Sequence, residues 1–185
     1  MGSKRDNIVR ELVETERSYV SSLQTLVTTF LDPLSSGAGS LSPKDARHVF
    51  ANIRQILQFQ ELLLAALTEE LDAHGPDLAQ VGRVMVEFTP WFMLYTAYVT
   101  SFATAQTRLK EAVARSKGLA ARVAECEAKS GGVTLGTLLI MPVQRIPRYK
   151  MLLEELKKVR CLGRTGRVGR RWGLRGGGQE GLAAL

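Results

Sequence analysis

The sequence has few residues of the types that bind metals or form disulfides. Its 185 residues include two cysteines, Cys126 and Cys161, and two histidines, His48 and His74. There is no Cys-x-x-Cys pair, and the histidines are too far apart for an i,i+4 metal pair. We therefore expect free thiols, solvated histidines and no metal site. No nucleophile and no general acid and base lie at a usable spacing, so no cofactor and no bond-making catalysis are predicted.

Long hydrophobic runs are also missing. No stretch of roughly 18 uncharged apolar residues occurs, which predicts that no segment spans a membrane. The polar start, MGSKRDN, lacks the apolar core of a secretory signal. Hydrophobic residues make up 45% of the chain, a proportion that is ordinary for a globular protein, and the length suits one main domain. A cytoplasmic protein is expected.

Positive charge is concentrated near the C-terminus. The formal net charge is +7, but six arginines and a single acid, Glu180, lie from Arg160 onward. Residues 1–159 hold 19 basic and 17 acidic residues, so no nucleic-acid partner is predicted for them. Residues 159–185 are rich in glycine and arginine without an apolar period. They are predicted to form a disordered tail, and an RNA-binding Arg-Gly segment is the alternative.

Apolar residues recur at helical spacing in the first part of the chain. Residues 4–31 are predicted to form a long helix that Asp32-Pro33 ends, and a second helix runs from Ser42, as its cap, to about Ala73. The apolar face of the first helix consists of Ile8, Leu12, Tyr19, Leu23, Leu26 and Phe30. The apolar face of the second consists of Phe50, Ile53, Leu57, Gln60, Leu64, Leu67 and Leu71.

Helical spacing continues in the middle of the chain. A third segment begins near Asp77 and is interrupted at Pro90, and residues 107–129 form a further helix with a bend at Gly118. Between them, large side chains at helical period are interpreted as core: Trp91, Tyr95, Tyr98, Phe102 and Leu109. The glycines of Ser130-Gly131-Gly132 break the chain before the next helix. An all-α fold is predicted.

The stretch 135–156, LGTLLIMPVQRIPRYKMLLEEL, organises the rest of the chain. One face repeats at a 3.5-residue period through Leu135, Leu139, Pro142, Ile146, Tyr149, Leu153 and Leu156. Pro142 and Pro147 each remove a backbone donor, which predicts a kink or an adjusted turn. Arg145 lies near the edge of this face, whereas Gln144 and Arg148 point well away from it. The two prolines and the outward-facing Gln144 and Arg148 indicate that this helix has a role other than stabilising the fold.

Glu16 breaks the pattern of the first helix. It lies between Leu12 and Tyr19 at the spacing of the apolar face, where an unpaired carboxylate costs stability. One interpretation is an internal ion pair, or a position at the edge of the face that reaches water. The other is a carboxylate held at a groove for the hydrogen-bond donors of a partner. The pattern alone leaves both open.

Two of these stretches carry a family resemblance. The segment 11–23, ELVETERSYVSSL, is similar to the first conserved block of Dbl-homology domains, and the segment 135–156 resembles their third block. Residues 81–102, with Gly82, Pro90 and Tyr95 among them, resemble the middle part, especially in the faciogenital dysplasia group. The resemblance covers residues 4–158. Dbl-homology domains are the catalytic modules of guanine nucleotide exchange factors for Rho-family GTPases.

The resemblance implies a fold, a partner and a site. The fold is an elongated all-α bundle, and the partner is a Rho-family small GTPase. The carboxylate of Glu16 is expected to accept hydrogen bonds from the first switch of the GTPase, and Arg148 to contact the second switch. Gln144 and Arg145 belong to the same surface. Exchange of this kind acts by binding, because a surface that prefers the nucleotide-free switches lowers the affinity for GDP without making or breaking a bond.

The chain departs from the family in two places. Met141 stands where lysine is usual, and no further long helix follows the segment 135–156, whereas family members continue into a helix that closes the bundle. We therefore expect a C-terminally truncated domain over residues 1–158 with a tail over 159–185. The faces of residues 8–30 and 135–156 are expected to lose part of their cover and to promote self-association. A non-catalytic helical module that binds a GTPase or another protein is the alternative function.

Overall fold

A computed structural model describes residues 3–164, with side chains for residues 3–159. All regular secondary structure in this part of the chain is helical, as the sequence predicts, and no β-strand occurs in it. The α-helices are α1 (Lys4–Thr25), α2 (Asp32–Leu34), α3 (Pro43–Phe50), α4 (Ile53–Leu78), α5 (Val81–Glu87), α6 (Leu94–Arg115), α7 (Lys117–Lys129) and α8 (Leu135–Arg164). A π-helical turn, Leu26–Leu31, joins α1 to α2, and a 3-10 turn, Thr89–Met93, precedes α6.

Helix α1 lies at the centre of the bundle, between α4 and α8. A capping box starts it, because the Ser3 hydroxyl accepts a hydrogen bond from the Asp6 amide and the Asp6 carboxylate accepts one from the Ser3 amide. Its predicted apolar face is buried at all six positions. The expectation that residues 8–30 lose cover is therefore wrong, because α4 and α8 cover this face from two sides.

The first helical segment ends later than predicted. The chain stays helical through Asp32 and Pro33 to Leu34. Just before Pro33, the Asp32 amide donates to the carbonyl of Val27, five residues back, so the hydrogen-bond register has widened where the proline lacks a donor. The proline therefore fits the first turn of α2 instead of ending the helix.

The predicted second helix is two helices, α3 and α4. Ser42 caps α3 as expected, since its hydroxyl accepts a hydrogen bond from the Asp45 amide at 3.0 Å. The chain then breaks at Ala51, whose φ of 44° makes it the one non-glycine residue with positive φ among the residues that the structure describes. This break shifts the buried face, so Ile56 and Leu63 are fully buried and the predicted Leu57 and Leu64 are only half-buried.

The middle of the chain follows the prediction with two corrections. Pro90 lies in the 3-10 turn, as expected, and Tyr95 is buried. Trp91 is wrongly predicted as core, because the tight turn displaces it from the helix face and leaves it 58% exposed. The bend expected at Gly118 lies two residues earlier, where the Ser116 hydroxyl accepts from the Leu119 amide and starts α7.

Helix α8 runs through both of its prolines as one α-helix. Thr134 starts it by accepting a hydrogen bond from the Thr137 amide at 3.2 Å. The helix continues past Lys158 to Arg164 and so includes the first residues of the tail predicted over 159–185; the rest of that tail, like the side chain of Cys161, lies outside the described residues. Among the helices described, none is long and apolar enough to cross a membrane.

Candidate functional site

A groove runs between α1 and α8 on the surface of the bundle. Its volume is about 420 Å³. We call it the α1/α8 groove, and it is lined by Thr15, Ser18, Tyr19, Met141, Gln144, Arg145, Arg148 and Met151. Three of the four predicted site residues therefore line one groove. Glu16, the fourth, lies beneath it.

Gln144 and Arg148 are exposed, as their positions on the helix predict. The guanidinium of Arg148 donates a hydrogen bond to the Glu11 carboxylate across the groove at 3.1 Å. Both side chains of this pair are close to half exposed, so the pair is worth little energy and can be exchanged for another partner at low cost.

Glu16 is fully buried in an ion pair with Arg145. The Glu16 Oε2 atom lies 2.5 Å from Nη2 of Arg145 and accepts a second hydrogen bond from the Tyr149 hydroxyl at 2.6 Å. Its Oε1 atom finds no hydrogen-bond partner among the residues described. Of the two interpretations that the sequence left open, the internal ion pair is the one present in this structure. A partner that is to reach the carboxylate has to displace part of this arrangement.

Arg145 separates Glu16 from the groove. Its guanidinium carbon lies 4.5 Å from the ring centre of Tyr149 and 5.3 Å from that of Tyr19, at the distance of cation–π contacts. Its Nη1 atom donates to the Thr15 hydroxyl at 3.2 Å. Four contacts therefore hold one side chain in the floor of the groove, and only 5% of Arg145 is exposed.

Burial determines the electrostatics of this pair. It raises the pKa of Glu16 above its ordinary value, and the charge of Arg145 and the hydrogen bond from Tyr149 only partly oppose this effect. Burial by itself lowers the pKa of Arg145, but the interactions with Glu16 and Tyr149 together outweigh it and raise the pKa, so the guanidinium stays charged. Burial also raises the pKa of Tyr149, which keeps its hydroxyl protonated as a donor.

The polar network extends further into the bundle than the sequence predicts. Gln60 of α4 contacts the Tyr149 hydroxyl at 3.0 Å and the Tyr95 hydroxyl at 2.6 Å, and Tyr95 in turn lies 3.0 Å from the Tyr19 hydroxyl. The periodicity placed these tyrosines in the core without indicating that their hydroxyls meet. Gln60 is a polar residue on an apolar face, which is the same signal that singled out Glu16.

Fold and site together define a helical bundle that presents a groove with polar and apolar lining over a buried charged pair, an arrangement suited to binding another protein. The sequence matches the model of the RhoGEF domain over residues 8–161. The chain therefore belongs to the RhoGEF domain family, in agreement with the resemblance noted from the sequence.

Similar proteins support this membership. The chain is 30% identical over 155 residues to "Guanine exchange factor for Rac 30" of Dictyostelium discoideum, a match covering 84% of this chain and 9% of the relative. It is 36% identical over 155 residues to "FYVE, RhoGEF and PH domain-containing protein 2" of Homo sapiens, covering 80% and 23%. It also resembles a solved structure of Vav1 bound to an allosteric inhibitor, with a TM-score of 0.78 and 29% identity over 84% of this chain and 28% of that one. The chain thus spans less than a quarter of the length of these two curated relatives.

Proposed function

We propose that this chain is a guanine nucleotide exchange domain for Rho-family small GTPases. The observation that carries the proposal is the α1/α8 groove of a RhoGEF-family domain, which brings Gln144, Arg145 and Arg148 together above Glu16. The name of the Dictyostelium discoideum relative, a guanine exchange factor for Rac, supports the same partner class. The domain promotes nucleotide release by binding and makes no covalent bond.

In the proposed mechanism, the groove binds the nucleotide-free switches better than the nucleotide-bound ones. Arg148 and Gln144 are exposed and make the first contacts, and Arg148 leaves Glu11 to contact the second switch. Glu16 then accepts hydrogen bonds from the first switch, which requires Arg145 to give way. Linkage makes the affinity of the GTPase for GDP fall by the same factor by which the groove prefers the nucleotide-free state.

Release of fluorescent GDP from a panel of Rho-family GTPases tests this proposal. We expect the chain to accelerate release from at least one member and Arg148→Ala to reduce the acceleration. Arg83→Ala is the matched control, because Arg83 is also an exposed arginine in an ion pair, with Glu87 on α5, and lies outside the groove. No acceleration with any GTPase, or equal effects of the two substitutions, contradicts the proposal.

The burial of Glu16 favours a second candidate function, a module that binds a GTPase without exchanging its nucleotide. If Arg145 is not displaced, the exposed part of the groove still offers contacts through Gln144 and Arg148. Capture of a nucleotide-free GTPase without any acceleration of GDP release identifies this alternative.

Two finer points are part of the proposal. The likeness to the faciogenital dysplasia group rests on residues 81–102, and the cytoplasmic location rests on the sequence composition. Both stay predictions.

A further inference from the structure

The hydroxyl of Tyr149 connects Glu16 to a residue of a third helix. It lies 2.6 Å from Oε2 of Glu16 on α1 and 3.0 Å from the Gln60 amide on α4. The ring of Tyr149 also stacks edge-on against Phe92, with ring centres 5.4 Å apart. The ring and the hydroxyl of Tyr149 are therefore both held in place. Of the two side chains that hydrogen-bond to Glu16, Arg145 lines the α1/α8 groove and Tyr149 does not.

The number of hydrogens in this network links Gln60 to the charge of Glu16. A tyrosine hydroxyl has one hydrogen to donate. In the structure, Oε1 of Gln60 faces the Tyr149 hydroxyl and Nε2 faces the Tyr95 hydroxyl, the orientation in which Tyr149 donates to Gln60. When Glu16 is protonated, its own proton serves the oxygen of Tyr149, and this orientation fits. When Glu16 is ionised, Tyr149 gives its hydrogen to the carboxylate, so the Gln60 amide has to turn over and offer its NH₂ group to Tyr149 and its oxygen to Tyr95. Both orientations fill the same space, so the network accommodates either charge state of Glu16.

Arg145 and Tyr149 hold the carboxylate from different sides. Arg145 lines the groove and Tyr149 does not, so a partner that enters the groove meets Arg145 first. Displacing Arg145 leaves Glu16 with the Tyr149 hydroxyl as its remaining hydrogen bond. That bond then decides where the carboxylate stays.

We propose that Tyr149 and Gln60 are positioning residues for Glu16, holding its carboxylate in place while a GTPase displaces Arg145. Neither residue contacts the partner, and Gln60 acts through Tyr149. This inference rests on the proposed function, because it concerns the contact between Glu16 and the GTPase.

Tyr149→Phe tests the inference, and Tyr98→Phe is its matched control. Tyr98 is equally buried, and its hydroxyl donates to the Leu139 carbonyl at 2.8 Å, so its loss removes one buried hydrogen bond outside the network. At saturating concentrations of the chain, we expect Tyr149→Phe to slow GDP release roughly tenfold beyond the control, the effect of losing a hydrogen bond to a charged group. Gln60→Met is expected to slow it about threefold. The double variant should be no slower than Tyr149→Phe alone, because Gln60 acts through the same hydroxyl.

The pH dependence of GDP release gives a second readout, because a residue with a purely structural role does not shift it. The hydrogen bond from Tyr149 lowers the pKa of Glu16, so its removal raises that pKa and moves the acid limb of GDP release to higher pH. The groups facing Glu16 are Tyr19 of its own helix, Arg145 and Tyr149 of α8, Tyr95 of α6 and the uncharged Gln60 of α4. Rates are taken as the ratio of variant to wild type at each pH, so that titration of the GTPase cancels.

The outcomes separate this inference from the proposed function. A tenfold loss with a shifted acid limb in Tyr149→Phe, and neither in Tyr98→Phe, supports it. If both variants lose the same rate of GDP release and neither shifts the acid limb of the pH profile, the inference is overturned. The proposed function stays intact in that case, provided that Glu16→Gln abolishes GDP release. If Glu16→Gln releases GDP like wild type, the role of Glu16 is wrong and the inference falls with it. If wild type binds a nucleotide-free GTPase without releasing GDP, Arg145 is not displaced, and that outcome overturns the inference together with the exchange function.

Discussion

Arg145 and Glu16, 129 positions apart in the sequence, form a buried ion pair in which Nη2 lies 2.5 Å from Oε2. The pair joins α1 to α8, the two helices that border the groove. A buried pair of this kind adds little net stability, because desolvation offsets the attraction, yet removing one partner is costly. The same contact therefore fixes the geometry of the site and keeps Glu16 out of reach of a partner until Arg145 moves.

The first prediction concerns the stability of this pair. Glu16→Ala should reduce the free energy of unfolding by about 3–5 kcal/mol, because it leaves the Arg145 charge buried without its partner. Urea unfolding measures the change. Glu11→Ala is the control, since its pair with Arg148 is exposed and should cost about 1 kcal/mol or less. Replacing both Glu16 and Arg145 by methionine should recover most of the loss, and an equal loss in the double variant contradicts this account.

The second prediction concerns pH. Because burial raises the pKa of Glu16 in the folded state above its ordinary value of 4.5, the folded state binds this proton more tightly than the unfolded state. The contribution of Glu16 to stability is therefore complete below pH 4.5 and is lost as the pH rises through the folded-state pKa. Measured against Glu16→Gln, which does not titrate, the unfolding free energy of wild type should fall as the pH rises. A difference that stays constant or grows with pH is the contrary result.

The third prediction concerns a second groove, between α5, α6 and α8. It has a volume of about 820 Å³ and a mostly apolar lining, in which Val86 is 71% and Val99 is 42% exposed. Of the two faces expected to lose cover, only that of α8 contributes here, through half-buried residues such as Ile146 and Leu153. Exposed apolar surface of this kind promotes association.

Sedimentation velocity at increasing protein concentration measures that association. Val86→Lys and Val99→Lys should each reduce self-association, because a lysine charge is costly to bury against a second chain. Val133→Lys should not, since Val133 is an exposed valine outside this groove. A wild-type chain that stays monomeric at every concentration, or three variants that behave alike, contradicts the prediction.

The sequence predicted those parts of the fold that depend on local pattern. The face of α1 is buried at each predicted position, and the cap at Ser42 and the turn at Pro90 are present. Local pattern did not reveal the break at Ala51, because alanine favours helix, whereas the break lies between α3, which packs against α6, and α4, which packs against α1. The exposure of Trp91 depends in the same way on the turn around it.

The site was predicted in part for a related reason. Helical spacing placed Gln144 and Arg148 outward and Glu16 on the buried face, and the structure agrees with all three positions. Helical spacing did not identify Arg145 as the partner of Glu16, because the pairing depends on how α8 packs against α1. Gln60 was assigned to an apolar face without a role, since the tyrosines that it contacts come from two other helices.

The central claim is that the groove prefers a GTPase without nucleotide, and the most direct test compares two affinities. Calorimetry with a Rho-family GTPase measures the dissociation constant of the chain for the nucleotide-free form and for the form loaded with GDP and magnesium. We expect tighter binding to the nucleotide-free form, and Arg148→Ala should weaken that complex while Arg83→Ala leaves it unchanged. By linkage, the ratio of the two constants equals the factor by which the chain weakens GDP binding. Equal affinities for the two forms would contradict the account.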